Sequence, residues 1–485
     1  MSEASVSSVV PEAAKDRPVL HDVDVVVAGS GLSGTFAAIA AGRGGARTLV
    51  VERFGSLGGN IGPAMVVNGS LDGEADITLP GGLSGIAAEF MERLRALRIG
   101  PERRYPEEAS IASYLAHQMM TEAGVQLLLS AWAGDPILEG NAVQGIFVEC
   151  KAGRVAVKAK VTVDGTGDAD IAARAGASIV PYLEPDEAHA DYIRPPYLNK
   201  AYPRHYNDTQ LLCLIADVDL ARFEAFCEED AELTEEETQW AQEAGAIDMY
   251  PKGLIPSLRK ARLSAEFVPI QELEPGVRMS TSRRFLNYGD GVVGLHITCV
   301  GAIDASDPRQ ISKLEAATRE QAFKAVRFYR ENAPGFERAY LLACAPFLGM
   351  RGGPHIEGDH TLTLEECFAG RKCDDVLFRN AHERDHGGDA SGFDVPYGIT
   401  LPKGIEGLLV CGRGAAYLRR GHDPTGMRAR PSMMVFGQAV GTAAAIAALD
   451  GVTPRNVDIK KVQRKLVADG IFLGDDARLG ELRLL

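Results

Sequence analysis

Asp24-Val-Val-Val-Ala-Gly29-Ser-Gly31-Leu32-Ser33-Gly34-Thr-Phe-Ala-Ala-Ile-Ala-Ala-Gly42 decides the fold. Val25 to Ala28 form an apolar run that suits a parallel strand covered on both faces. Gly29 permits a tight turn. Gly31 has no side chain to hold a pyrophosphate away from the backbone, and Gly34 lets the following helix lie close on the strand. The helix N-terminus, at Leu32 and Ser33, then offers unpaired N–H groups and partial positive charge to two phosphates.

The context around these glycines is complete. Arg47-Thr-Leu-Val-Val-Glu52 reads as a second strand ending in a carboxylate 21 positions after Gly31. An acid there is placed to accept hydrogen bonds from a ribose. Next comes Arg53-Phe-Gly55-Ser-Leu57-Gly58-Gly59-Asn60, a glycine loop long enough to lie over a dinucleotide. The competing reading of the first stretch is a glycine-rich helix cap, and of the loop a surface turn.

A chain of 485 residues exceeds one ordinary core, so two interleaved domains are expected. Its net charge of −15 argues against nucleic acid and against an anionic membrane surface as partners. The eight cysteines include no CxxC pair and no zinc spacing, which suits reduced thiols in a cytoplasm. Residues 1–20 read as a loose tail rather than a secretory signal. The apolar stretch Val435 to Leu449 is too short and too rich in Gly and Ala to span a bilayer.

Further along, Gly82–Leu97 and Glu107–Ala123 read as helices, and Val125–Ser130 as a strand. Pro136–Leu138, Val143–Val148 and Arg154–Lys160 alternate as a small antiparallel meander. A separate apolar strand from Lys160 then ends in Asp164-Gly165-Thr166-Gly167-Asp168, with a helix over Ala169–Ala175. Residues 178–395 lose this rhythm and read as an inserted substrate domain. Pro, Tyr and Arg cluster there in Pro181–His205, Leu220–Ala244 reads as an acidic helix, and Ser312–Asn332 as a long amphipathic one. Residues 396–485 return to the first domain. They carry a strand ending at Cys411-Gly412-Arg413, a helix from Pro431 to about Leu449, and one last helix over Val457–Asp469. The expected fold is α/β: residues 21–177 and 396–485 form a Rossmann-like domain of parallel sheet plus antiparallel meander, interrupted by an α+β substrate domain.

Taken together, the glycine fingerprint, the Leu57-Gly58-Gly59 loop, the meander and Asp164-Gly-Thr-Gly-Asp168 resemble FAD-dependent oxidoreductases, most closely the group akin to fumarate reductase and succinate dehydrogenase flavoproteins. The resemblance implies FAD as cofactor. The first glycines and Glu52 would hold the ADP part, the Leu57-Gly58-Gly59 loop would run towards the flavin, and the Asp164 turn would lie near the FAD. The helix that starts at Arg430-Pro431-Ser432 would aim its N-terminus at the flavin pyrimidine ring, with Gly437 giving it a thin packing surface. Some relatives attach the flavin through a histidine past the glycine loop. Residues 54–75 contain none, so FAD is expected to be non-covalent.

A flavin that accepts a hydride builds negative charge at its pyrimidine end, so a helix N-terminus or an arginine belongs there. The helix after Pro431 is the first candidate, with Arg413 second and Arg430 beside it. On the substrate side, Leu348-Gly-Met-Arg351 continues the resemblance, which then breaks at Gly352-Gly-Pro-His355. His355 is the acid/base candidate, because imidazole titrates near neutrality, and Arg351 is a clamp for a substrate carboxylate or for the flavin. His296 reads as a core residue, His422-Asp423 as a turn, and His382/His386 as a loop rather than a metal pair. No metal is expected.

The leading functional reading is a dehydrogenase or oxidase that takes a hydride from a small polar molecule. The expected acceptor is oxygen or a redox carrier, and a homo-oligomer is left open. Its alternatives are a reductase of an activated double bond, a monooxygenase, for which no second GxGxxG supplies a pyridine-nucleotide site, and a non-enzymatic nucleotide-fold binding protein.

Overall fold

A computed structural model describes residues 10, 12–66, 78–98, 105–180, 207–229, 231–247, 249–282, 285–381, 392–417, 427 and 429–485. The Pro181–His205 cluster, His382/His386 and His422-Asp423 lie outside the described residues.

The chain opens with β1 (Val19–Ala28), α1 (Leu32–Arg43) and β2 (Thr48–Glu52). Val19 and Leu20 thus belong to a strand rather than to a tail, and Ala156 donates a backbone hydrogen bond to the carbonyl of Pro18. Helices α2 (Gly85–Leu97) and α3 (Tyr105–Glu122) follow. Then come β3 (Gln126–Leu129), β4 (Trp132–Glu139), β5 (Ala142–Cys150), β6 (Gly153–Asp164) and the short α4 (Asp170–Arg174).

These six strands lie in the order β3-β2-β1-β6-β5-β4, and a seventh from late in the chain joins β6 to complete one sheet. The expected meander and the expected nucleotide strand are one element. β6 runs unbroken from Gly153, antiparallel to β5 through its first half and parallel to β1 along its length. Its burial records the change of role. Val157 to Lys160 alternate where one face meets solvent, and Val161 to Asp164 are all buried where both faces are covered.

Within the second unit lie β7 (Ile179–Val180), β8 (Asn207–Ala216), α5 (Leu220–Glu228), α6 (Glu235–Glu243) and α7 (Ile255–Leu263). The expected helix over Leu220–Ala244 is two helices, the second restarted by a Thr234/Glu237 capping box. Next are β9 (Ile270–Glu274), β10 (Val277–Thr281), β11 (Leu286–Asn287), β12 (Val293–Gly301), α8 (Pro308–Asn332), β13 (Tyr340–Cys344) and β14 (Gly349–Met350). They make an antiparallel sheet ordered β13-β8-β12-β10-β9, with β11 on β12 and β14 on β8. Leu211, Cys213, Ile215, Leu295, Ile297 and Cys299 point to one face and share a core with Phe328 and Tyr329 of α8. Side chains alternate across a strand, so Gln210, His296 and Thr298 occupy the other face. His296 is therefore not a residue of that core.

The remaining elements are β15 (His355–Ile356), α9 (Leu364–Phe368), β16 (Val376–Asn380), β17 (Phe393–Pro396), β18 (Leu408–Val410), α10 (Arg430–Asp450), α11 (Ile459–Ala468) and α12 (Asp476–Glu481). Ile356, Leu362, Phe378 and Val395 pack into the first core. The chain thus returns to that core soon after β14, earlier than the expected boundary at 395. β18 joins β6 in parallel at Thr162–Asp164, and α12 is a helix the periodicity does not announce.

Helix α10 is long and apolar enough by composition to cross a bilayer, yet it is mostly buried against α1 and the sheet. Its small residues explain how. A methyl group on Gly437 would overlap the carbonyl oxygen of Ser33, and one on Gly441 that of Ala37. The two helix backbones touch, and Ser33 Oγ locks them by donating to Met433 O at 2.9 Å.

Candidate functional site

The parallel strands β2, β1, β6 and β18 all end at one edge of the first sheet. In open α/β sheets a ligand crevice forms outside such carboxyl ends. A cleft of about 390 Å³ lies there. It is lined by Gly29, Gly31, Leu32 and Ser33 after β1, by Glu52, Arg53, Gly59 and Asn60 after β2, by Gly165 to Asp168 after β6, and by Gly412, Arg413 and Arg430.

The turns shape one another. Gly29 has φ +90°, and a Cβ there would stand 2.8 Å from Gly165 O. Gly58 N donates to Ser30 O at 3.0 Å, which lays the second loop on the first. Gly59, at φ +52°, would put a Cβ 2.8 Å from Gly31 Cα. At Gly31, by contrast, a Cβ would meet nothing nearer than Gly165 O at 3.8 Å. No side chain caps the N-terminus of α1, and none caps α10. Both helices present their first turns to the cleft through Leu32, Ser33, Arg430 and Met433.

Glu52 is buried at the cleft wall. Its Oε2 accepts from Ser30 N at 2.8 Å and Ser30 Oγ at 2.7 Å, and its Oε1 accepts from Phe54 N at 3.0 Å. A carboxylate has about four acceptor positions, so three are used to set the turn and one is left towards the cleft. Arg53 stacks over Phe54 at 4.7 Å and Trp132 at 5.2 Å. Phe54 in turn stacks on Phe347 of the second unit at 4.3 Å, with the ring planes 9° apart.

Several expected site residues serve the scaffold instead. Asp164 is buried and does not line the cleft. Its Oδ1 accepts from Thr166 N and Oγ1, and its Oδ2 accepts from Ile171 N and Ala172 N, which holds the turn onto α4. Arg413 is fully engaged: Nη2 pairs with Asp168 at 2.9 Å, Nε donates to Gly167 O at 3.0 Å, and Nη1 donates to Met350 O. That guanidinium is a strut between the β6 turn and β14, not a free cation. Ser432 Oγ donates to Asn380 Oδ1 at 2.6 Å inside the core. Gly34 and Gly437 are contact points between backbones, and Gly58 underlies the cleft without lining it.

On the substrate side, Arg351 lines the cleft and pairs with buried Asp208 at 3.2 Å. Arg430 is buried at the start of α10 and donates to Val66 O at 3.1 Å. His355 is a correction. It is buried in the β7–β15 ribbon, its Nδ1 donates to the Ile356 carbonyl at 3.0 Å, and it does not line the cleft. The ribbon that buries it depends on long-range pairing with Val180, which no local pattern signals. His296 is the more interesting imidazole: burial, and then the charge of Arg351, push it down to about 4, so it is neutral at pH 7. Among the described residues no cluster of His, Cys, Asp and Glu could hold a metal ion.

Asp170 lines the cleft and was not anticipated. Burial, then Asp164 and Asp168, push its carboxyl up to about 6, against the pull of Arg174 and Arg53. The sign follows from linkage. An unfolded Asp titrates near 4 and the folded one near 6, so folding stability declines as pH rises from about 4 to 6, and the full cost of about 2–3 kcal/mol persists above that. Asp170→Asn is expected to restore that amount at pH 7.5 and nothing at pH 4, as measured by unfolding of FAD-free protein. Equal effects at both pH values would show that the carboxyl carries no such burden.

A second cleft of about 750 Å³ opens between α1, α2, α10 and α11, away from the strand ends. Several of its rim charges are paired, Arg43 with Glu89, Lys461 with Asp450 and Lys465 with Asp469. It holds none of the turn glycines, so size does not make it the nucleotide site.

Comparison with known proteins agrees with the geometry. The model of the FAD dependent oxidoreductase family matches residues 24–466. Digeranylgeranylglycerophospholipid reductase 1 of Methanopyrus kandleri is 28% identical over 205 residues, 39% of this chain and 52% of that protein. The chain thus matches about half the length of this curated relative. Among solved structures, a geranylgeranyl bacteriochlorophyll reductase-like protein of Thermoplasma acidophilum aligns over 96% of this chain and 91% of its own, at 15% identity and a TM-score of 0.40. A flavin-dependent brominase aligns over 96% and 93%, at 13% identity and a TM-score of 0.41. None of these is a fumarate reductase or succinate dehydrogenase, so the resemblance holds at the level of the wider family. With the glycine turns, the parallel strands from Asp24 onward and the second sheet inside the matched span, the chain belongs to the FAD dependent oxidoreductase family and is a flavoenzyme whose cofactor is FAD.

Proposed function

We propose that this enzyme reduces a carbon–carbon double bond in a largely apolar, isoprenoid-like substrate, with FAD held non-covalently along the glycine cleft. The observation that carries this reading is the 205-residue match to a protein named as a digeranylgeranylglycerophospholipid reductase. The cleft beside the start of α10 is compatible with it, since Val66, Leu348, Met350 and Met433 furnish an apolar wall. In this reading the backbone of Gly31 to Ser33 meets the diphosphate, Glu52 meets the ribose with its remaining acceptor position, and the first turn of α10 with Arg430 faces the flavin.

Reduced FAD supplies a hydride equivalent when bound. The chain's own task is then to exclude water and to hold the double bond against the flavin. Arg351, positioned by Asp208, is the anion clamp for a polar end of the substrate.

A specific observation supports a second reading, hydride removal from a polar substrate. His296 lies near Arg351 on the face of the second sheet opposite that core, and its unprotonated imidazole is free to accept a hydroxyl proton, though its low basicity makes it a weak base. One experiment separates the two. Anaerobically reduced enzyme mixed with geranylgeranyl lipids should regain the oxidised flavin spectrum, and His296→Ala should leave that rate within about threefold. Under the second reading, oxidised enzyme is bleached by polar alcohols or amines instead, and the same variant slows bleaching by on the order of a hundredfold or more. Reduced flavin that persists with every alkene offered ends the first proposal.

A further inference from the structure

The edge strand β13 of the second sheet and its neighbour β8 carry a thiol pair that the flavin chemistry does not use. Cys344 of β13 is the direct register partner of Cys213 of β8, and their sulfurs lie 3.3 Å apart. The hydrogen bond from Ala345 N to Leu212 O identifies the register. It is the bond that flanks a non-hydrogen-bonded pair, in which the Cα atoms approach to about 4.5 Å and the side chains lean together. That spacing falls inside the roughly 4.4–6.8 Å that a disulfide spans. Closing the remaining gap between the sulfurs to about 2.05 Å needs side-chain rotation, not strand movement.

The two thiols differ in ways that divide the labour. Cys344 is half-buried and reachable from solvent, while Cys213 is fully buried behind it. The Cys213 S–H, as donor, and then the Arg319 guanidinium favour a thiolate on Cys344 and hold its pKa below the usual thiol range. Arg319 is itself fixed at that strand end, where its Nη2 donates to Ala345 O at 3.2 Å and to Pro346 O at 2.9 Å. Elsewhere the shift is upward: burial pushes Cys299 up to about 12, and burial followed by the charge of Asp164 raises Cys411 further. Thiolate character and exposure together select the sulfur that an oxidant attacks.

We propose that Cys344 and Cys213 form a peroxide-sensitive dithiol that closes reversibly to a disulfide across β8 and β13. The Cys344 thiolate attacks one oxygen of hydrogen peroxide, the O–O bond breaks, and hydroxide leaves Cys344 as a sulfenic acid. Cys213 sulfur then displaces the second hydroxyl, its proton leaves with that hydroxyl as water, and the S–S bond forms. Two thiols are oxidised by two electrons, and one peroxide becomes two waters. The pair lies just before Phe347, Leu348 and Met350, so its state sets how firmly that wall of the cleft is tied to β8.

The test treats the FAD-loaded wild-type enzyme with a small excess of hydrogen peroxide, followed by thiol counting under denaturing conditions and non-reducing peptide mapping. The eight free thiols should fall to six, with a peptide joining Cys213 to Cys344, and dithiothreitol should restore all eight. In Cys213→Ser the sulfenic acid on Cys344 should persist and react with dimedone. The proposal is overturned if the wild-type chain keeps eight thiols, if the first disulfide joins other cysteines, or if Cys344 passes to sulfinic acid without a cross-link. The wild-type mapping decides the matter even if the buried serine variant does not fold.

Discussion

Gly437→Ala and Gly441→Ala are each expected to destabilise the FAD-free protein by about 3 kcal/mol or more, at the upper end of what overpacking costs. The added methyl would overlap a backbone oxygen, Ser33 O at the first position and Ala37 O at the second, and neither can rotate away. Relief requires α1 and α10 to separate along their whole contact. That movement would also break the 2.9 Å bond from Ser33 Oγ to Met433 O and shift both helix N-termini at the cleft. Loss of stability and loss of bound FAD should therefore appear together. Gly480→Ala is the control. It lies within α12 with no atom in reach of its Cβ, and alanine there should stabilise by about 0.5–1 kcal/mol. Chemical denaturation of the three variants, with flavin released from each counted by absorbance, decides the matter. A Gly441→Ala protein as stable as wild type would mean the helices can part at little cost.

What was legible in the sequence was whatever local chemistry dictates. A turn after a buried strand demands Gly29, close helix packing demands Gly34, and a ribose site calls for an acid such as Glu52 at the end of the next strand. What was not legible depends on partners distant in the chain. The alternation up to Lys160 suggested a separate meander strand because a period of two says which face is wet, not which neighbour is paired; the pairing with β1 makes β6 one strand. Arg413 carried the signature of a flavin-facing cation, and only the approach of Asp168 and Met350 turned it into a strut. His355 had the right residue type for a base, yet pairing with Val180 buried it. The reverse error fell on His296, whose apolar neighbours in sequence alternate onto the opposite face. Asp170 and Phe347 left no local trace, since their roles exist only where the β6 turn and the second unit meet the cleft. Glycine and strand patterns thus locate a nucleotide cleft, whereas the reacting side chains follow from long-range pairing.

Gly31→Ala is expected to weaken FAD binding on the order of a hundredfold, roughly 2–3 kcal/mol, while leaving the FAD-free fold intact. This glycine differs from its neighbours in the fingerprint. Gly29 has φ +90°, and a side chain at Gly34 would overlap Gly29 O, so substitution at either strains the protein itself. Gly31 has φ −59° and ψ −176°, which any residue adopts, and its Cβ would meet only Gly165 O at an ordinary 3.8 Å. The protein therefore has no packing reason for glycine at this position. The methyl would project where the diphosphate must reach the free N–H groups of α1's first turn, so the cost falls on the cofactor alone. Unfolding midpoints of the FAD-free wild-type and variant proteins should agree within about 0.5 kcal/mol, while titration of free FAD, followed by quenching of its fluorescence, should separate them widely. Gly34→Ala should show the opposite order, with stability lost first and binding lost because of it. If Gly31→Ala binds FAD as tightly as wild type, the diphosphate does not lie on this turn and the proposed placement of the cofactor fails.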